Sequence, residues 1–346
     1  MADRLHLVDK PEGWTSHDAV ARLRRILGER RVGHAGTLDP FATGLLVVAE
    51  GRATGLLGAL ALLPKRYLAT LRLGVATDTQ DRTGVPIDAP RGPLPTLARF
   101  DEALTRFRGR LEQRPPLYSA VKVAGERLYR AARRGEDVER PTRPVHVYAL
   151  ERVADGAAAG AAPAAPPSAN TADVTIDLTV SRGTYVRTLA HDLGAALGCG
   201  AHLVALRRVS VGPFQVEGAG RVEKESGWDA ARLRACAIPP ATALGFLPRV
   251  RLDASEAARL RHGAGPAIGA ERIVASDAGY PLPPGAAGWP LALLDPEGVL
   301  LAVAEPWHEQ TPGAPLRLQR VVAVPAGARD AGEAGDAESA AEAARA

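Results

Sequence analysis

The tightest constraint in the chain is the run Leu45-Leu46-Val47-Val48, four apolar residues entered from a loop punctuated by Gly33, Gly36, Pro40 and Gly44. A short uninterrupted apolar run bounded by turn residues fits a buried strand better than an edge strand. A loop that feeds such a strand is held firmly at one end, so a side chain carried on it has a defined place. Residues 67–73 give a second strand, with Tyr67, Ala69, Leu71 and Leu73 on one face. A third is written at Val174, Ile176, Leu178 and Val180, which alternate with Thr175, Asp177 and Thr179.

Between these strands the spacing predicts helices. Residues 16–27 place Val20, Leu23, Ile26 and Leu27 on one face behind Ser16 as N-cap, with Arg22, Arg25 and Glu29 opposite on a solvated face. Residues 96–108 and 184–197 read the same way, the latter with Val186, Leu189, Ala190, Leu193 and Leu197 inward. The basic stretch 127–134 also reads as helical. Residues 156–170 are almost entirely Ala, Gly and Pro and read as a flexible insertion between two strands of one sheet. Beyond residue 248, residues 291–294, 299–304 and 316–324 read as strands of a small β-rich module.

At 346 residues the chain holds about two domains, and 46% hydrophobic residues exclude wholesale disorder. The formal charge is +4. The acidic stretch 327–346 hides a more basic body, as a nucleic-acid binder requires. Two cysteines, Cys199 and Cys236, build no disulfide framework and fit a reducing compartment. Residues 1–10 contain no apolar segment of the secretory kind, and no run of 18 apolar residues occurs, so a cytoplasmic, non-membrane protein is expected.

Several chemistries are excluded by missing motifs. The sequence has neither a GxxxxGK[ST] phosphate loop nor a GxGxxG turn between strand and helix, and no GxSxG nucleophile elbow. Cys199 and His202 have no second pair of metal ligands downstream. What remains is Asp39, a carboxylate in the Gly/Pro-restrained loop 33–44 beside His34 and Thr37. Taken alone, an Asp before Pro is usually a turn residue. Arg187, in the first turn of a helix, is suited to pair a carboxylate bidentately or to contact a phosphate.

The segments Asp9-Lys10-Pro11-Glu12-Gly13-Trp14-Thr15-Ser16, 33–44, 65–74, Thr77-Asp78-Thr79-Gln80-Asp81-Arg82-Thr83-Gly84, 114–122, 181–187, 199–203 and 207–209 carry a resemblance. Over about residues 5–215, in the same order, they resemble the bacterial tRNA pseudouridine-55 synthases, the TruB family. The resemblance implies an α+β fold: a mixed, mostly antiparallel central sheet flanked by helices, the pseudouridine synthase fold, with a small C-terminal β-rich PUA-like module. It implies a catalytic domain over 1–240, within which the insertion 156–170 falls, and an RNA-binding module over 248–325; the acidic Ala/Glu/Asp/Gly composition of 326–346 reads as a disordered tail.

It further implies isomerisation of one uridine in the T arm of tRNA, by flipping the base and acting on it with an essential aspartate. By matching position Asp39 is the catalytic carboxylate, Arg187 the partner that keeps it ionised, and Tyr67 the aromatic that stacks on the flipped base. Tyr185 and Leu206 match other pocket positions, His34 fills space beside the displaced base, and Lys10 with Pro11 supports the pocket floor. The basic residues Arg127, Arg130, Arg133, Arg134, Arg207 and Arg208 are expected on phosphates. No cofactor or metal is implied. The implied partner is tRNA, with no membrane and no obligate protein partner, the protein being a monomer. An alternative reading is a tRNA-folding chaperone that binds the T arm, with catalysis secondary.

Overall fold

A computed structural model describes residues 3–87, 92–117, 122–123, 126–127, 134, 140–153, 168, 170–223, 227–276, 289–306 and 314–322. In chain order the strands are β1 (Arg4–Lys10), β2 (Val32–His34), β3 (Thr43–Glu50), β4 (Lys65–Leu73), β5 (Ala76–Thr77), β6 (Pro86–Ile87), β7 (Gly109–Gln113), β8 (Lys122–Val123) and β9 (Glu126–Arg127). They continue as β10 (Arg143–Arg152), β11 (Ala172–Val180), β12 (Ala201–Val211), β13 (Phe214–Gln215), β14 (Gly220–Arg221), β15 (Arg249–Arg251), β16 (Leu291–Leu294), β17 (Leu300–Ala304) and β18 (Leu318–Val321).

The large sheet runs β14-β1-β3-β12-β4-β11-β10-β7, with β2 added on β3 and β13 on β12. Only the pairs β1/β14 and β3/β12 are parallel in it, so the sheet is mixed and mostly antiparallel. Every residue of β3 is buried, as its unbroken apolar run requires. Leu45, Val47 and Ala49 enter one apolar cluster, and Leu46 and Val48 enter another with Val20, Leu23 and Leu27 of the Ser16–Leu27 helix. The alternation of β11 likewise sends Val174, Ile176, Leu178 and Val180 into a third cluster, against Leu189 and Leu193 of the Val186–Leu197 helix and Phe100 of the Leu97–Arg106 helix.

The C-terminal sheet, β15-β16-β17-β18, has its own core of Val250, Leu260, Leu293, Leu301 and Leu316. It is also joined to the large sheet. Phe246, Trp289, Leu300, Val303 and Val322 pack in the same cluster as Leu5, Leu45 and Val47.

The structure changes several local expectations. The N-cap of the first helix is Thr15, whose side chain accepts from the Asp18 N–H in a reciprocal capping box. Ser16 is the first helical residue and is buried. The loop expected at 33–44 is shorter, because His34 pairs with Val48 as the end of β2. Arg127 lies in a strand rather than a helix, and residues 128–133 fall outside the described residues. So do most of the 156–170 insertion and everything from residue 323 on, the expected tail 326–346 included. β15 and the Ala254–Arg261 helix, which the Gly/Pro-rich reading passed over, complete the C-terminal unit.

Candidate active site

The loop 35–42 joins β2 to β3 and carries Asp39. Gly36 and Gly44 bracket it, both at φ +103. At Gly44 a Cβ would stand 2.3 Å from the Arg208 carbonyl oxygen, so only glycine admits β12 alongside. The Asp39 side chain keeps 35% of its surface exposed, and Arg187 beneath it keeps 6%. Nε of Arg187 lies 2.9 Å from one Asp39 oxygen, and Nη2 donates to the other at 3.3 Å. Both contacts fall on one carboxylate from the first turn of the helix, but of these two only the Nη2 contact has hydrogen-bond geometry; buried Nε faces its oxygen as an ion pair.

The guanidinium is shared with a second acid. Nη1 of Arg187 donates to Oδ2 of Asp81 at 3.3 Å and to the Thr79 carbonyl at 3.2 Å. Asp81 is itself buried, and its other oxygen accepts from Thr79 Oγ1, the Thr83 N–H and Thr83 Oγ1. The turn is fastened in place by Gln80, which takes a left-handed φ of 64 and accepts from Thr188 Oγ1. Asp81 thus fixes the arginine, and the arginine fixes Asp39. The motif 77–84 was legible in sequence, but Asp81 was given no role there; its partner is 106 positions away.

Burial pushes the Asp39 carboxyl above the usual carboxylate range and the neighbouring Asp81 charge adds to this, while Arg187 and Lys10 pull the other way. Arg187 thus favours the ionised form against a larger desolvation by burial. Lys10 is wholly buried; its Nζ donates to the carbonyls of Trp14 at 2.6 Å, Pro11 at 2.8 Å and Pro40 at 3.4 Å. It ties the end of β1 to the residue after Asp39. Burial brings its pKa down to about 8, against the pull of the Asp39 charge.

Tyr67 and Leu206 stand on the same face of β4 and β12, in the cluster that holds Leu38, Phe41 and Ala42 of the Asp39 loop. Tyr185 precedes the Arg187 helix, and its main chain is held at both ends by the buried Gln113 side chain of β7. Burial and the Arg208 charge lower the pKa of His34, favouring the neutral imidazole. Its Nδ1 is buried without a hydrogen-bond partner among the described residues.

The expectation of a phosphate contact is overturned at Arg208, which is buried, while Arg207 stays partly exposed. Arg208 is 1% exposed and donates to the carbonyls of Leu45, Gly36 and Thr37. Arg207 is engaged by Asp9 at 2.8 and 3.0 Å. Cys199 and His202 are buried, and His202 Nδ1 lies 2.8 Å from the Val75 carbonyl. Among the described residues no three His, Cys, Asp or Glu side chains are grouped to hold a metal, and no helix is long and apolar enough to cross a membrane.

The large mixed sheet thus carries a linked Asp39–Arg187–Asp81 array, with Arg187 and Asp81 buried and Asp39 half-exposed. The same fold occurs in the crystal structure of a Cbf5-Nop10-Gar1 complex, at TM-score 0.65 and 28% identity over 93% of this chain and 85% of that one. Residues 24–186 match the TruB family pseudouridylate synthase N-terminal domain, and residues 187–240 match the tRNA pseudouridylate synthase B C-terminal domain. The tRNA pseudouridine synthase B of Thermobifida fusca is 44% identical over 312 residues, 88% of this chain and 95% of its own length. That of Geobacter sulfurreducens is 43% identical over 326 residues, 92% of this chain and 99% of its own. The chain belongs to the TruB family of pseudouridine synthases, which are isomerases.

Proposed function

We propose that this protein converts uridine 55 in the T arm of tRNA to pseudouridine, with Asp39 as the catalytic carboxylate. The reading is supported by relatives named tRNA pseudouridine synthase B that match nearly their whole length. The observation that carries it is the Asp39 carboxylate held at two points by a buried arginine. In the reaction the N1–C1′ bond opens, the uracil turns, and C5 joins C1′; C5 loses a proton and N1 gains one. Atoms and electrons balance within the nucleotide, so the chemistry calls for orientation and a charged group rather than for a redox partner.

The target base leaves its stack to reach Asp39, and Tyr67 on the sheet face supplies the surface on which it rests. Leu206 and Tyr185 close the pocket around it, and His34, as a neutral ring, occupies space on the RNA side. Lys10 supports the loop from below through the Pro40 carbonyl. RNA recognition of this kind relies on shape and splayed bases more than on groove reading.

The test uses a T-arm stem-loop labelled with tritium at uracil C5. Wild-type protein should release the label, and Asp39→Asn should bind the RNA with unchanged affinity and release none, because the amide carries no charge. Turnover of Asp39→Asn within tenfold of wild type would remove Asp39 from the chemistry.

A further inference from the structure

The peptide groups that lead into Asp39 are held by side chains from two distant elements. Ser16 is 2% exposed; its Oγ accepts from the Leu38 N–H at 2.8 Å and donates to the Leu38 carbonyl at 3.2 Å. That carbonyl belongs to the peptide whose nitrogen is Asp39's own. Arg208 reaches the same loop from β12. Its Nη2 donates to Gly36 at 3.1 Å and its Nε to Leu45 at 2.6 Å, with Thr37 at 3.5 Å from Nη1. One guanidinium thus spans the limb that enters the loop and the limb that leaves it.

Neither side chain is needed where it stands for burial alone. An arginine without solvent is costly, and among the described residues the hydrogen bonds of Arg208 all go to main-chain carbonyls. Its charge also depresses the proton affinity of Lys10, Lys65 and His34. Ser16 lies in the first turn of its helix, but the cap is made by Thr15, so the Ser16 hydroxyl is given to the loop instead. Main-chain bonds hold the loop at Ala35 (to Val47), Asp39 (from Ala42) and Pro40 (from Gly13). Between these anchors the two side chains take up the carbonyls of Gly36 and Thr37 and both peptide groups of Leu38.

We propose that Ser16 and Arg208 are positioning residues for Asp39: they touch no substrate, and they set the place of its carboxylate over Arg187 by holding the loop at Gly36, Thr37, Leu38 and Leu45. The proposal rests on Asp39 being the catalytic group. Misplacing a reacting group by about an ångström costs on the order of a hundredfold in rate. Removing one hydroxyl should therefore slow the chemistry far more than it weakens binding.

The experiment compares full-length wild type, Ser16→Ala, Arg208→Lys and a control, Leu27→Ala, which loosens the packing of the same helix away from the loop. Three quantities are read on each: single-turnover tritium release at a temperature where the protein is fully folded, T-arm affinity, and amide exchange of the peptide spanning residues 36–42. For Ser16→Ala the expected result is a rate lower by about ten- to a hundredfold, affinity within about twofold, and faster exchange in that peptide. Arg208→Lys should share the pattern if it folds. Leu27→Ala should melt earlier with a normal rate and normal loop exchange. A Ser16→Ala protein that is folded and keeps the wild-type rate overturns the proposal, as does unchanged loop exchange. Wild-type protein that releases no tritium would instead overturn the isomerase reading, and the exchange measurement would still decide whether Ser16 holds the loop.

Discussion

Arg187 shows how much one side chain can be asked to do. It meets Asp39 at two atoms and Asp81 at a third, and at 6% exposure its guanidinium is turned to these carboxylates rather than to solvent. A lysine there keeps the charge but has one ammonium, which cannot face both acids in a plane. Arg187→Lys should therefore lower the single-turnover rate by on the order of a hundredfold while leaving RNA affinity and its salt dependence unchanged. A weaker affinity with a shallower salt slope and a normal saturating rate would mark Arg187 as a phosphate contact. Lys65 offers a test of a different kind. Burial, with the Arg208 charge, takes its pKa down to about 7, and its Nζ donates to the Ala61 and Leu63 carbonyls at 2.5 Å. Between pH 7 and the ordinary lysine value the unfolded chain binds the proton and the folded one does not, so this residue makes stability rise with pH in that window. Urea midpoints measured at pH 6 and pH 9 should show the rise, and Lys65→Met should flatten it.

At the scale of elements, β3 and the loop before it form one mechanical unit. The strand is buried throughout, its first residues pair in parallel with Arg207 and Arg208 of β12, and the approach is so close that the Arg208 backbone occupies the space of a Gly44 side chain. Gly44→Ala combines a left-handed backbone with a clash against main chain that cannot rotate away. It should cost about 3 kcal/mol or more and abolish tritium release. A urea titration with a midpoint near that of wild type would show that the two strands separate easily. The presence of β3 and of the alternating β11 was legible because burial on two faces, or on one, leaves a periodicity in the residues themselves. Helix ends were less legible. Ser16 and Thr15 are both good caps by type, and the choice between them was made by Leu38, which claims the Ser16 hydroxyl from 22 positions away.

Across the whole molecule, the small C-terminal sheet does not stand apart from the large one. Phe246 meets Trp289 edge to face at 5.5 Å, and both lie in the cluster with Leu5, Leu45 and Val47. Because that cluster also receives one face of β3, loosening it should reach the strand that follows the Asp39 loop. Phe246→Ala is expected to cost about 3–5 kcal/mol. It should lower the melting of the entire protein in a single transition, seen equally by tryptophan fluorescence and by far-ultraviolet circular dichroism. An early transition confined to the C-terminal sheet, with the rest melting as in wild type, would show that the two sheets are energetically separate.

The residues by themselves determined that a buried strand is entered from a restrained loop holding a single carboxylate, and the order of the motifs determined the family. Those properties are local: periodicity, turn residues and short segments are written within a few positions of one another. What tertiary structure alone decided is which groups stand around Asp39. Asp81 with Arg187, Ser16 with Leu38, and Arg208 with Gly36 and Leu45 are each joined across the fold, 106, 22 and as many as 172 positions apart. It also decided that Arg208, a phosphate contact by composition, is a buried support. A charged side chain reads alike in sequence whether it ends in water or under a loop, because the carbonyls that receive it are common to every residue and leave no mark in the order of side chains.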